Sequence, residues 1–100
     1  MAAYVIVTYD IADPKGFEPY IPGVVPILQK HGAEVLVADP AAQAVEGKAS
    51  GMTVILKFSS QEAALAFYND PAYQPVKKIR HDTTKNGIVV LAKEFIPPTA

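Results

Sequence analysis

From Ala3 to Ile11 nearly every position is β-branched, aromatic or aliphatic, the pattern of a strand. Asp13-Pro14 then reads as a helix start. An Asp side chain accepts from a free backbone N–H, and Pro is preset for the first helical position. Phe17, Tyr20, Ile21, Val24, Val25, Ile27 and Leu28 follow at helical spacing. Pro19, Pro22 and Pro26 interrupt them, which predicts a kinked or two-piece helix. Lys30-His31-Gly32 closes it, with cations in the last turn and a Gly able to take the left-handed cap.

Glu34 to Ala38 predicts a short second strand. Residues 39–51 form a polar, Ala- and Gly-containing connection, in which Ala42 to Glu46 has a brief extended pattern. Met52 to Phe58 is the third strand, and Ser59 with Glu62 has the spacing of a capping box. Ala63, Ala64, Leu65, Phe67 and Tyr68 make the next helix. Asp70-Pro71 repeats the device of Asp13-Pro14 and predicts a restart. Tyr73, Val76, Ile79 and Thr83 mark the inner side of the last helix. Asn86-Gly87 predicts a turn before a final strand over Ile88 to Phe95. One domain over residues 1–96 with a tail over 97–100 is the expected organisation.

The order β-α-β-β-α-β is the split, ferredoxin-like motif. The expected fold class is therefore an α+β sandwich with an antiparallel sheet whose first and third strands are central. Right-handed crossovers place both helical segments on one face. Val5, Val7 and Tyr9 share a face with one another, as do Met52, Val54 and Leu56. Tyr4, Ile6, Ile55 and one set from the last strand remain on the other face. An apolar face of that size is seldom left in water. Its expected cover is a second copy, giving a homodimer through the sheet face; the alternative is a monomer with a half-shielded face. Asp10 and Lys57 fall on this second face, where they are expected as paired charges near the rim.

Net charge is −1, which gives no global attraction to nucleic acid or to an anionic membrane. No apolar run approaches the roughly 20 residues that span a bilayer. The first residues carry no basic n-region or cleavage pattern, so the cytoplasm is the expected location. There is no cysteine, and the two histidines lie far apart, so neither a metal nor a cofactor is expected.

Among residues able to do chemistry, His31 reads either as a general acid or base or as a helix C-terminal cation. An open site built from His31 and Glu46 is conceivable for proton transfer, though nothing in their spacing demands it. Arg80 reads as an anion clamp or, with Lys77, Lys78 and Lys85, as part of a solvated helix surface. His81 belongs with that surface. Tyr20, Tyr68 and Tyr73 read as hydroxyl donors in a pocket between helices and sheet, or as core rings with their hydroxyls at the edge.

The segment Phe67-Tyr68-Asn69-Asp70-Pro71-Ala72-Tyr73-Gln74 carries a resemblance, supported by Tyr4-Val5-Ile6-Val7, Asp13-Pro14 with Tyr20, His31-Gly32, Val45-Glu46-Gly47, Lys57-Phe58, Ala63-Ala64 and Arg80. On these residues the chain resembles the bacterial domain of unknown function 1330, within the dimeric α+β barrel superfamily. The resemblance implies a homodimer whose two sheets face each other as a barrel, and no established activity. It departs from the family at Asn69, where Ser is usual, at Glu34, where a base is frequent, and at Lys57, where an acid is common.

Two functional classes follow. One is a cofactor-independent enzyme of isomerase, lyase or monooxygenase type, acting on a small organic acid or aromatic. In it His31 or Glu46 handles the proton, and Tyr20, Tyr68, Asn69, Tyr73 and Arg80 bind the ligand. The other is a non-catalytic ligand-binding or interaction dimer. A cleft lined by Tyr20, His31, Tyr68 and Arg80 would favour an enzyme or ligand site.

Overall fold

The computed structural model describes residues 1–98, so Thr99 and Ala100 of the expected tail lie outside the described residues. The elements are β1 (Ala3–Ile11), α1 (Pro14–Phe17), α2 (Tyr20–Lys30), β2 (Glu34–Asp39), β3 (Met52–Phe58), α3 (Gln61–Tyr68), α4 (Tyr73–Thr83) and β4 (Thr84–Lys93). The four strands form one antiparallel sheet in the order β2-β3-β1-β4. The fold is ferredoxin-like α+β, with β1 and β3 at the centre.

The first crossover is in two pieces. Asp13 caps α1 by accepting from the Gly16 N–H at 3.1 Å. The chain breaks at Glu18-Pro19 and restarts at Tyr20, while Pro26 is carried inside α2. Gly32 follows with φ 69°, the left-handed conformation that suits a helix end. Gly23 lets α2 approach α4 closely: a Cβ there would sit 3.2 Å from Val76 Cγ2.

Several expected boundaries move. The cap of α3 is Ser60 rather than Ser59, and its side chain accepts from the Ala63 N–H at 3.0 Å. Pro71 and Ala72 form a turn, and α4 starts at Tyr73. Residues 40–51 contain no strand, so the extension expected at Ala42 to Glu46 is absent. The turn expected at Asn86-Gly87 is instead a bulge inside β4. Asn86 takes φ 58°, the β1–β4 register shifts between Thr8 and Asp10, and Asn86 Nδ2 donates to Asp10 Oδ2 at 2.9 Å. α4 runs directly into β4, which begins at Thr84 and ends at Lys93, short of Phe95.

The expected pairing of Asp10 with Lys57 does not occur. Antiparallel pairing puts the end of β3 beside the start of β1, so Lys57 faces Tyr4 while Asp10 faces Lys85 at the other end. Asp10 instead accepts from the Gly51 N–H and from Asn86. Those hydrogen bonds, Asn86 first, lower its carboxyl pKa.

The core lies between sheet and helices. Val5, Tyr9, Leu56 and Phe58 from the sheet meet Phe17, Val24, Leu28, Ala64, Phe67 and Tyr73 from the helices. The other sheet face carries Tyr4, Ile6, Thr8, Thr53, Ile55, Ile88, Val90 and Ala92. Ile88 and Val90 are exposed there.

Candidate functional site

The helices do not close completely on the sheet. α2 packs beside α4, and α3 lies over β1, β3 and β4. A cavity of about 230 Å³ remains between α2 and the sheet, reaching the α3–α4 joint. Its sheet side is built by Val5, Val7, Tyr9, Met52, Val54 and Leu56. Its helix side is built by Tyr20, Val24, Leu28, Phe67, Tyr68 and Tyr73. Alternation along β1 and β3 supplies the first set, and helical spacing along α2 supplies half of the second, the rest coming from the α3–α4 joint.

One charged side chain enters this apolar space. Arg80 lies on α4, about two turns after Tyr73: residues 73, 76, 80 and 83 fall at the spacing of one helix face. Arg80 is only 3% exposed. Its Nε has no hydrogen-bond partner among the described residues. Beside it the Tyr20 and Tyr73 hydroxyls share a buried hydrogen bond of 2.8 Å.

Burial raises the Tyr20 phenol pKa far above its ordinary value, and the neighbouring Tyr73 adds to this. Burial likewise pushes Tyr9 up to about 12, partly offset by Arg80. Burial acts to lower the Arg80 pKa, but Tyr73 and Tyr20 outweigh it and the net shift is upward. The site therefore holds a fixed cation beside neutral phenols, which act as hydrogen-bond donors rather than bases.

Tyr68 is half-buried on the cavity wall, with Lys77 Nζ 4.4 Å from its ring centroid. Tyr73 stacks on Phe67 at 4.6 Å between centroids. Arg80 is thus drawn inward from the basic cluster, while Lys78 pairs with Asp82 on the exposed side.

The remaining candidates lie elsewhere. His31 does not line the cavity. Its Nε2 donates to Asp70 Oδ2 at 2.7 Å, and Lys30 reaches the same oxygen at 3.1 Å. Asp70 Oδ1 accepts from the Ala72 N–H. The His31 hydrogen bond, then Ala72 and Lys30, hold the Asp70 carboxyl far below the usual carboxylate range. Asn69 caps the end of α3 through its backbone and is exposed. Glu46 is exposed on the loop over residues 40–51, outside the cavity lining. Among the described residues, Glu46 shares no ion pair with His31.

Sequence pattern does not single out Asp70 as the anchor of His31, nor Tyr9 as a wall of the site. For Arg80 a signal exists: its place on the Tyr73–Thr83 stripe points it inward, against the charge cluster that points it outward.

No helix among the described residues is long and apolar enough to cross a membrane. No cluster among them could hold a metal ion. No curated protein matches the chain. Among solved structures, it is similar to the RPA0582 protein of unknown function from Rhodopseudomonas palustris, with TM-score 0.79 and 14% identity, over 96% of this chain and 84% of that one. It is similar to a dimeric ferredoxin-like protein of unknown function from Jannaschia sp., with TM-score 0.66 and 13% identity, over 94% and 100% of the chains. It is also similar to SnoaB, a cofactor-independent oxygenase from Streptomyces nogalater, with TM-score 0.64 and 12% identity, over 97% and 98%. At these identities the likeness is one of fold. Residues 2–93 match the family described as Domain of unknown function (DUF1330), and the chain belongs to that family.

Proposed function

We propose that the protein is a homodimer, paired through its open sheet face, in which each subunit binds one small, largely apolar organic molecule. The observation that carries this reading is the cavity of about 230 Å³ with a few convergent polar groups at one part of an apolar wall. A packed core leaves few voids of this size. The dimer is supported by the apolar second face and by the dimeric ferredoxin-like protein of the same fold. Covering that face is worth several kcal/mol at roughly 25 cal/mol per Å².

An enzymatic reading, of isomerase, lyase or monooxygenase type without a cofactor, is favoured by the Tyr20–Tyr73 pair. Phenol donors beside a cation can polarise a carbonyl or stabilise an enolate. SnoaB offers a fold-level parallel for oxygenase chemistry, which is analogy and not homology of site. The cavity lining holds no carboxylate or imidazole among the described residues. That favours binding, or a reaction in which the protein donates hydrogen bonds and does not remove a proton.

A thermal-shift screen over small neutral aromatics, phenols and organic acids tests the reading, because a ligand of the folded state raises its melting temperature by mass action. Hits incubated with the protein in air and followed by mass spectrometry separate turnover from binding. A screen with no stabilising compound in any class would overturn the reading.

A further inference from the structure

We infer that the ligand is a compact monocarboxylic acid, its carboxylate held by Arg80 together with the Tyr20–Tyr73 hydroxyl pair and its apolar body filling the rest of the cavity. This deepens the proposed ligand site and rests on it.

A guanidinium removed from water loses several kcal/mol of hydration unless a counter-ion replaces it. Arg80 is buried, yet no carboxylate pairs with it among the described residues. Asp70, the buried acid of this region, is engaged by His31 and Lys30. The hydroxyls beside Arg80 bring no negative charge to it and leave its own uncompensated.

Arg80 Nε is buried without a partner, and the side chain lines the cavity. The Tyr20–Tyr73 hydrogen bond uses one hydroxyl proton, and the second remains free to donate. A guanidinium edge and a phenol O–H together match the two oxygens of a carboxylate. One cation in an otherwise apolar wall suits a monoanion better than a phosphate dianion.

An apolar cavity of about 150 Å³ holds benzene. A cavity of about 230 Å³ takes a ring or a branched chain of that bulk with a carboxyl group and a short link. Val24, Val54, Leu56 and Phe67 around it offer that body no hydrogen bond.

The test uses benzoate, phenylacetate, 3-phenylpropanoate and octanoate, each against its own carboxamide, by calorimetry on the full chain. At least one acid is expected to bind at least ten-fold more tightly than its amide. In Arg80→Met that preference should vanish, and the ligand-free variant should melt no lower than the parent, because an uncompensated buried charge has been removed. Should Arg80→Met fail to fold, the acid-to-amide ratio on the parent protein and in Tyr73→Phe decides; Tyr73→Phe should lower it severalfold. Amides that bind as well as acids would overturn the carboxylate inference and leave the ligand site standing. If neither acids nor amides bind, and the neutral aromatics and phenols also fail, both fall.

Discussion

Asp70 accepts a 2.7 Å hydrogen bond from His31 Nε2, tying the end of α2 to the joint between α3 and α4. The same carboxylate orders the turn over residues 70–73 through the Ala72 N–H, and the Asp70 carbonyl accepts from the Tyr73 N–H. It thereby sets where Tyr73 enters the cavity. Phe67 packs against both His31 and Tyr73, which continues the link from the tie to the site.

This tie predicts an acid-sensitive stability. The Asp70 pKa is lowered in the folded state from an ordinary 3.8 by His31, Ala72 and Lys30. The unfolded chain therefore binds the proton more readily, and stability falls as pH drops. The contribution is complete above about pH 4 and is lost as pH falls through the lower folded value. Asp70→Asn should lower the melting temperature by several degrees at neutral pH and flatten the slope below pH 4. Melting curves from pH 7 to pH 2 measure both. An unchanged acid slope would show that another carboxylate governs it.

The Tyr20–Tyr73 hydroxyl pair predicts a coupled energy. Removing either hydroxyl breaks the 2.8 Å bond and leaves the other buried beside Arg80. Tyr20→Phe and Tyr73→Phe should each cost about 1 kcal/mol. The double variant should cost clearly less than their sum, because it strands no partner. Urea unfolding of the four proteins gives the cycle. Additive costs would mean that the hydroxyls do not act as a pair.

Much of this fold is legible in the chain because its signals are local. Alternation in Ala3–Ile11 and Met52–Phe58, and the Asp13-Pro14 cap, each predict their element without reference to the rest. Asn86-Gly87 misleads because the left-handed residue that makes a turn also makes a bulge. Only the β1 partner, with Asp10 reaching Asn86, selects the bulge. Glu34 and Lys57, the two charge departures from the resembled family, prove to face each other across β2 and β3, a relation fixed by strand register. The site is less legible for the same reason. Tyr20 and Tyr73 meet from 53 residues apart, and the lack of a partner for Arg80 is a property of everything around it.

The open face predicts that assembly can be broken at its centre. Ile6 faces Ile55 on one neighbouring strand and Val90 on the other. A charge at Ile6 would be buried without a counter-ion at a sheet-to-sheet interface, at a cost of several kcal/mol. Ile6→Glu should shift the light-scattering mass from twice the chain mass to a single chain at micromolar concentration. Its circular dichroism spectrum should stay that of a folded protein, because Ile6 points away from the core. A parent chain that is already monomeric under these conditions would sink the dimer.

The cavity predicts opposite effects on stability and on binding from one substitution. Val54 sits in the middle of β3, faces Val7, and lines the space under α2. In a closely packed core an added ring would force neighbours apart and cost about 1–3 kcal/mol. Here it has unfilled volume to enter, and filling such volume commonly adds about 0.5–2 kcal/mol. Val54→Phe should therefore melt no lower than the parent without ligand. It should bind the acid that fits the parent best at least ten-fold more weakly, since ring and ligand compete for the same 230 Å³. Arg80 and the two hydroxyls are untouched by this change, so a loss of affinity reports the space itself. Retained affinity with a higher melting temperature would place the ligand outside the cavity.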